Sequence, residues 1–484
     1  MRSVFILSRM HASSRRRASR LLGAFLLLPV LVHAQQFRMG KIADVYAQNC
    51  ASCHGDRMQG GLAPSMQDDE WLVGGDDESL SLAISKGIPE RGMPAWGGMF
   101  SEKEVRALVI FIREQRLKYR YDQLNLPPPA AQMDLKSELH DFHLATWGGE
   151  LEEPWSLAFL PGDQAIATEK GGRAFLITRG QRAAEPLAGL PATIFTGGQG
   201  GLFDVVPHPK YAENGWLYFA YADLRPENHS MTRVIRGRLK DNALVDVETI
   251  FESKPELYHT GSRAHYGGRL VFDREGYLFI THGERNRREL AQDLSRPNGK
   301  IFRLHDDGRV PADNPFVNQP GALPGIWSYG HRNPQGLALH PVTGELFALE
   351  HGPRGGDELN LIGKGKNYGW PVITHGMEYS GDVISTLTEK EGMEQPLTYW
   401  TPSLGVCGMN FYTGDLFPKW KNQIFFASLS AEELRRVEVK DGKVVREEMI
   451  FKKLGRVRHV ITGPDGALYI LLPKRIVRLT PLAP

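Results

Sequence analysis

Leu270-Val271-Phe272-Asp273-Arg274-Glu275-Gly276-Tyr277-Leu278-Phe279-Ile280 is two short apolar runs around a polar, glycine-bearing turn. That pattern predicts a β-hairpin. Working outward, the same strand–turn–strand unit recurs at 157–162 with 165–168, at 337–341 with 344–348, and at 460–465 with 466–470. Looser versions stand at 203–209 with 216–219 and at 408–412 with 423–426. Six units across residues 141–484 average about 57 residues each, which suits four-stranded blades with generous loops. The expected fold is therefore multidomain, a small all-α segment followed by an all-β six-bladed propeller. A tandem of β-sandwiches is the alternative. In a propeller the loops gather at the mouth of a central channel, so chemistry is to be sought there.

Upstream of the repeats lies Cys50-Ala51-Ser52-Cys53-His54. C-x-x-C-H is the attachment signal of a c-type haem: two thiols can add to two vinyl groups, and the adjacent imidazole can take an axial position on the iron. A zinc knuckle or a redox dithiol would use the same thiols, but no further close Cys or His ligands follow. A second axial ligand can come from Met58, Met66, Met93 or Met99. Met93 is favoured because Arg91-Gly92-Met93-Pro94-Ala95-Trp96 would hold its thioether on a stiff loop, with Met99 next in line. Ile42-Ala43-Asp44-Val45-Tyr46 reads as a helix leading into the motif, and Ser101-Glu102-Lys103-Glu104-Val105 as a capping-box start for another with Leu108, Ile110, Phe111 and Ile112 on its apolar face. Residues 35–120 resemble a single-haem cytochrome c, and covalent haem c is the expected cofactor.

Arg15, Arg16, Arg17 and Arg20 precede an apolar run from Leu21 to Val32, and Val32-His33-Ala34 offers a small-residue cleavage site. Residues 1–34 read as a secretory signal peptide, so a periplasmic location is expected, with no transmembrane span in the mature chain. A net charge of +2 gives no reason to expect nucleic acid as a partner. Of three cysteines two belong to the haem motif; Cys407 reads as a buried small apolar residue, and no disulfide framework exists. Residues 121–140, with Leu126-Pro127-Pro128-Pro129-Ala130-Ala131, read as a stiff Pro-rich linker to the propeller at 141–484.

The loops between the repeats carry Gly197-Gly198-Gln199-Gly200-Gly201-Leu202, His265-Tyr266-Gly267-Gly268-Arg269-Leu270, Gly330-His331-Arg332-Asn333-Pro334-Gln335-Gly336, Glu350-His351-Gly352-Pro353-Arg354-Gly355-Gly356-Asp357-Glu358 and Lys366-Asn367-Tyr368-Gly369-Trp370-Pro371, in that order. This series resembles the soluble pyrroloquinoline-quinone (PQQ) sugar dehydrogenases, and within them the aldose sugar dehydrogenase branch. Oxidising an alcohol or aldose needs a base for the hydroxyl proton, and an imidazole titrating near neutrality is suited to that task. The resemblance makes His265 the catalytic base and brings Gln199 to the substrate. It sets Arg332 and Asn333 on the quinone, where a guanidinium stabilises charge developing on hydride arrival. It sets Arg456 and Arg458 on the cofactor's carboxylates, and Tyr379-Ser380-Gly381 on a cofactor wall. It implies Ca²⁺ as well, with Gly352 and Pro353 as carbonyl donors to the ion that polarises PQQ, and Glu358 with the carbonyl of Tyr368 in a second ion site.

Two departures fall on the cofactor side. Ser430 stands where the family usually has a lysine, and His459 where it commonly has an aspartate. Two functions remain open: an exported quinohaemoprotein dehydrogenase that oxidises a sugar, alcohol or aldehyde and passes electrons through haem to an external acceptor (another cytochrome, a copper protein or a quinone), or a propeller without PQQ that docks an electron-transfer cytochrome.

Overall fold

A computed structural model describes residues 42–124, 130, 132–380 and 382–482. The expected signal peptide, the proline run at 127–129 and Gly381 lie outside the described residues. Each hairpin read from the sequence forms the inner two strands of its own antiparallel sheet, and the described residues form six such sheets. In the third, Leu270 faces Ile280, Val271 faces Phe279 and Phe272 faces Leu278. Asp273 Oδ1 accepts the N–H groups of Glu275 and Tyr277 at 3.1 and 2.8 Å, while Gly276 takes φ +86°. The turn thus needs both the aspartate and the glycine. Leu270, Leu278 and Ile280 are buried between blades with Phe203 and Phe302.

The inner strands are Pro154–Leu160, Leu202–Pro207, Leu270–Phe272, Pro334–Leu339, Val406–Phe411 and His459–Thr462. Each touches the next around a ring, and the last returns to the first. Closure comes from the final sheet, in which His459–Thr462, Leu468–Leu472 and Arg475–Pro481 are joined by Phe142–Glu150 and Gln132–Leu135 from the other end of the propeller. Pairing the two ends in one sheet leaves no open edge between first and last blade. The tandem-sandwich alternative is excluded by this ring.

The all-α part consists of α1 (Ile42–Asn49), α2 (Ala51–His54), α3 (Asp77–Lys86) and α4 (Glu102–Gln123). Ser101 and Glu104 form the expected capping box on α4. Val105, Leu108, Val109, Ile110 and Ile112 of α4 are buried, and Phe111 packs on Tyr46 with ring centroids 5.7 Å apart. The stretch expected as a linker at 121–140 is shorter in the structure. Helix α4 continues to Gln123, and Gln132–Leu135 is already an edge strand of the propeller. Met133, Leu135 and Leu139 pack on the propeller core, which is why that part is not an extended spacer. Among the described residues no helix is long and apolar enough to cross a membrane.

Candidate active site

His265 sits at the end of the second-to-third blade connection and is 8 % exposed. Its backbone takes φ +56°, a costly conformation for a residue with a side chain. Three neighbours hold it there. Its N–H donates to Gln199 Oε1 at 2.8 Å, and its carbonyl lies so close to Gly283 that a Cβ there would approach it to 2.3 Å. Asn333 Oδ1 accepts from Gly267 N at 3.0 Å, fixing the next turn. The ring's Nδ1 is 2.5 Å from Glu284 Oε1. With that carboxylate ionised, Nδ1 carries the proton and Nε2 is the nitrogen able to accept one. Burial, reinforced by Arg332, lowers the pKa of His265, and Glu284 opposes the drop. The ring is therefore neutral near pH 7 and competent as a base.

Arg332 lies within the same electrostatic neighbourhood. Its Nη1 donates to the carbonyls of His351 and Gly352 at 3.0 and 2.9 Å, and its guanidinium stands over Trp370 at 5.4 Å. His351 is held to a pKa of about 3 by burial and by the charges of Arg332 and Arg458, and its Nε2 is buried without a hydrogen-bond partner. Arg458 donates to Cys407 Sγ at 3.5 Å. Cys407 is fully buried, as expected, though in polar company. Arg456 and Arg458 lie just before the strand His459–Thr462. The segment still alternates, with Val457 and His459 buried and Arg456 exposed. A cavity beside Arg332 is lined by Glu350, Glu358, Gly352, Tyr368, Trp370 and Thr374. Glu350 and Glu358 face each other in register across neighbouring strands. Burial and the Glu350 charge raise the Glu358 carboxyl to about 8. Asn360 bridges the two carboxyls through Nδ2, and its own Oδ1 is buried and unpartnered. Tyr379 is 71 % exposed, and Ser380 bonds to Asp382 in an exposed turn, so the cofactor wall expected there is a surface feature.

Residues 151–479 match the family model described as glucose/sorbosone dehydrogenase. The chain belongs to the glucose/sorbosone dehydrogenase family. Over 341 residues it is 43 % identical to an aldose sugar dehydrogenase, YliI, of Escherichia coli strain K12, covering 69 % of this chain and 91 % of that protein. The PQQ-bound structure of an aldose sugar dehydrogenase from Streptomyces coelicolor superposes with a TM-score of 0.57 at 26 % identity, over 73 % of this chain and 99 % of that one. Residues 38–112 match the model described as cytochrome c oxidase, cbb3-type, subunit III. A cytochrome c55X of Stutzerimonas stutzeri is 36 % identical over 101 residues, 20 % of this chain and 87 % of that protein. The protein is thus an oxidoreductase, an aldose-sugar-dehydrogenase-like propeller carrying a cytochrome c domain. The first family implies PQQ and the second implies haem.

Three residues of this glucose/sorbosone dehydrogenase site went unassigned in the sequence reading. Glu284 follows the strand Leu278–His282, but only the fold turns it back onto His265. Glu350 became legible only through its register with Glu358. His351 was visible within its motif, yet nothing local marked its buried nitrogen. At the haem motif, Cys50 caps α2 and Cys53 follows within its single turn. Burial and the neighbouring Cys53 push the Cys50 thiol up to about 11. Burial lowers the pKa of His54, the Pro64 carbonyl opposes this, and Nδ1 is buried without a hydrogen-bond partner. Cys50, Met66 and Met93 all pack, half-buried, on one apolar cluster, with Met58 inside it. Met99 is 66 % exposed and off that cluster, so Met66 replaces it as the next thioether after Met93.

Proposed function

We propose that this chain is an exported, periplasmic quinohaemoprotein dehydrogenase that oxidises an aldose or a related alcohol or aldehyde. The observation that carries this reading is His265: buried, neutral, bonded through Nδ1 to Glu284 and pinned by Gln199, with Nε2 left to take a proton. PQQ, when bound, would supply the hydride acceptor and haem the one-electron carrier. His265 takes the hydroxyl proton, and Glu284 holds the resulting imidazolium. Gln199 holds the His265 backbone and is the residue assigned to contact substrate. Arg332 supplies fixed positive charge with Asn333 behind it. Arg458 and the exposed Arg456 are the cations for the cofactor's carboxylates. The haem would be held by Cys50 and Cys53, with His54 and Met93 as candidate donors to its iron; the paired thiols, the unpartnered His54 nitrogen and the half-buried thioether fit it. Reconstituting the protein with PQQ and Ca²⁺ and following haem reduction across a sugar and alcohol panel tests the whole reading. Failure of every substrate, with PQQ bound, would overturn it.

The calcium assignments fare unequally. Glu350, Glu358 and the orphan Asn360 oxygen are hard oxygen donors suited to a divalent cation, with the Tyr368 carbonyl. At the other site the Gly352 carbonyl already accepts from Arg332, so Gly352 and Pro353 fit an ion less well. That observation favours the second reading, a propeller that docks a cytochrome without PQQ. The Glu358 carboxyl also makes a pH prediction. Burial beside Glu350 raises its folded pKa to about 8, well above the ordinary carboxylate range. The metal-free folded state therefore keeps a proton that the unfolded chain has lost, and its stability falls as pH rises between about 5 and 8. Melting temperatures in chelator should drop across that range, whereas added Ca²⁺ should flatten the profile. Parallel profiles with and without the ion would refute the site.

Ser430 is exposed, with its N–H on the Leu404 carbonyl at 3.0 Å. Arg435, a candidate substitute for the missing lysine, is occupied by Glu433 and Glu447. His459, pressed against Arg269 and Arg458, is held neutral and leaves the Arg458 charge uncancelled. Ser430→Lys should therefore tighten PQQ binding by about tenfold, the low end for a charge-assisted contact because the position is exposed. Titration of PQQ into both apo proteins checks this, and equal or weaker binding by the variant would show that Arg456 and Arg458 suffice.

A further inference from the structure

The cytochrome domain is fastened to the propeller by more than chain connectivity. Glu114 of α4 grips Arg354 bidentately, Nε to Oε1 at 2.8 Å and Nη2 to Oε2 at 2.7 Å, with both side chains under a quarter exposed. Such forked, charge-assisted pairs fix orientation as well as contact. Arg106, two turns earlier on α4, donates to the Thr374 carbonyl at 2.7 Å. Met377 of the propeller is fully buried within the apolar cluster of the cytochrome domain.

The two propeller loops that make these contacts also build the cavity. Arg354 lies two residues after Gly352, whose carbonyl holds Arg332. Thr374 lines the cavity with one side and meets Arg106 through its carbonyl. Arg354 and Met377 exchange two backbone hydrogen bonds, at 2.9 and 3.1 Å. The loops are packed backbone on backbone: a Cβ on Gly376 would meet the Gly355 carbonyl at 2.3 Å. Loops that close leave little room to slide.

We propose that the Glu114–Arg354 pair is a docking contact that positions the cytochrome domain on the loops of the candidate cofactor cavity, so that electrons leaving the propeller pass to its haem before reaching any external acceptor. The proposal rests on the dehydrogenase reading above. Two electrons leave per substrate oxidised. Each converts one ferric haem to ferrous, a one-electron acceptor such as ferricyanide reoxidises it between transfers, and two protons go to water. Glu114 and Arg354 are positioning residues.

The test uses the full-length protein loaded with haem, PQQ and Ca²⁺, as wild type, Glu114→Arg, Glu114→Gln and the double reversal Glu114→Arg/Arg354→Glu. Stopped-flow absorbance follows haem reduction after mixing with substrate. A small dye that takes electrons directly from the propeller reports dehydrogenation alone, and calorimetry of PQQ-free protein reports whether the domains unfold together. Glu114→Arg should slow haem reduction about tenfold by lowering the docked fraction, keep dye turnover within about twofold of wild type, and split off a separate cytochrome transition. Glu114→Gln should fall between, and the double reversal should restore fast reduction. Wild-type haem reduction in Glu114→Arg, a parallel loss of dye turnover, or no rescue by the double reversal would overturn the proposal. If wild type reduces neither haem nor dye, the dehydrogenase reading fails and the electron route with it, and the calorimetric split alone then decides whether the pair docks the domains.

Discussion

His265→Ala is expected to lower substrate-dependent reduction by about 10²–10⁴-fold, the usual cost of a lost general base. PQQ binding should change little, because the proposed reading gives His265 the substrate proton and leaves the cofactor's carboxylates to Arg456 and Arg458. The pH profile gives a second readout. Burial and Arg332 lower the pKa of His265, so the ring loses its basic form only on the acid side. The acid limb of kcat/KM should therefore fall below the ordinary histidine range of about 6.5. Glu284→Gln separates base from scaffold: the amide still fills the space, but it no longer stabilises the imidazolium. Its acid limb should move further down, since the group that opposes the lowering is gone. Steady-state dye reduction across pH measures all three proteins. A His265→Ala variant that keeps most of its turnover would remove His265 as the base, and the buried His351 nitrogen would become the next group to test.

The propeller was legible in the sequence because its signals are local. Asp273 and Gly276 make one turn, and Asp465 and Gly466 make another, with Asp465 Oδ1 accepting the Ala467 N–H at 3.2 Å. A chain need not be folded for such turns to be read. The closure was not legible. Nothing in Gln132–Leu135 says that it will edge a sheet whose core strands lie more than three hundred residues later, and the proline run beside it suggested a spacer. The site divides in the same way. His265, Arg332 and Asn333 stand in contiguous motifs and so could be singled out as candidates, and the fold brings the His265 and Asn333 turns together. Glu284, Glu350 and His351 were missed because their meaning comes from who faces them: an imidazole across a turn, a carboxyl across a strand pair, and two arginines distant in sequence. The Glu114–Arg354 fork joins residues 240 apart, and neither has a local signature. Conversely, Tyr379-Ser380-Gly381 looked like a cavity wall by motif alone, yet Tyr379 stands in solvent.

Replacing both Cys50 and Cys53 by alanine should abolish haem that survives denaturation. In the attachment proposed here each thiol S–H adds across a vinyl double bond: a C–S bond forms and the proton ends on the neighbouring carbon, so no oxidant is needed. The thiols are free, half-exposed and set at the cap and within the turn of α2, as such an addition requires. A zinc site on the same thiols would instead carry the mass of one zinc ion and no haem. A redox dithiol would leave haem out of the protein altogether. Haem-stained denaturing gels and intact mass distinguish these outcomes: wild type should carry the mass of one haem, each single variant should remain attached through one thioether, and the double variant should carry none. The consequence for function is selective. Dye-linked dehydrogenation, which the proposed reading assigns to His265 and the propeller, should persist in the double variant, whereas electron flow to a protein acceptor should stop. The cytochrome domain should also lose stability, since Cys50, Met93, Trp71 and Trp96 border an apolar cluster that a planar macrocycle would complete. Covalent haem in the double variant would refute the assignment. Loss of dye turnover along with the haem would show that the propeller depends on the cytochrome domain for more than electron delivery.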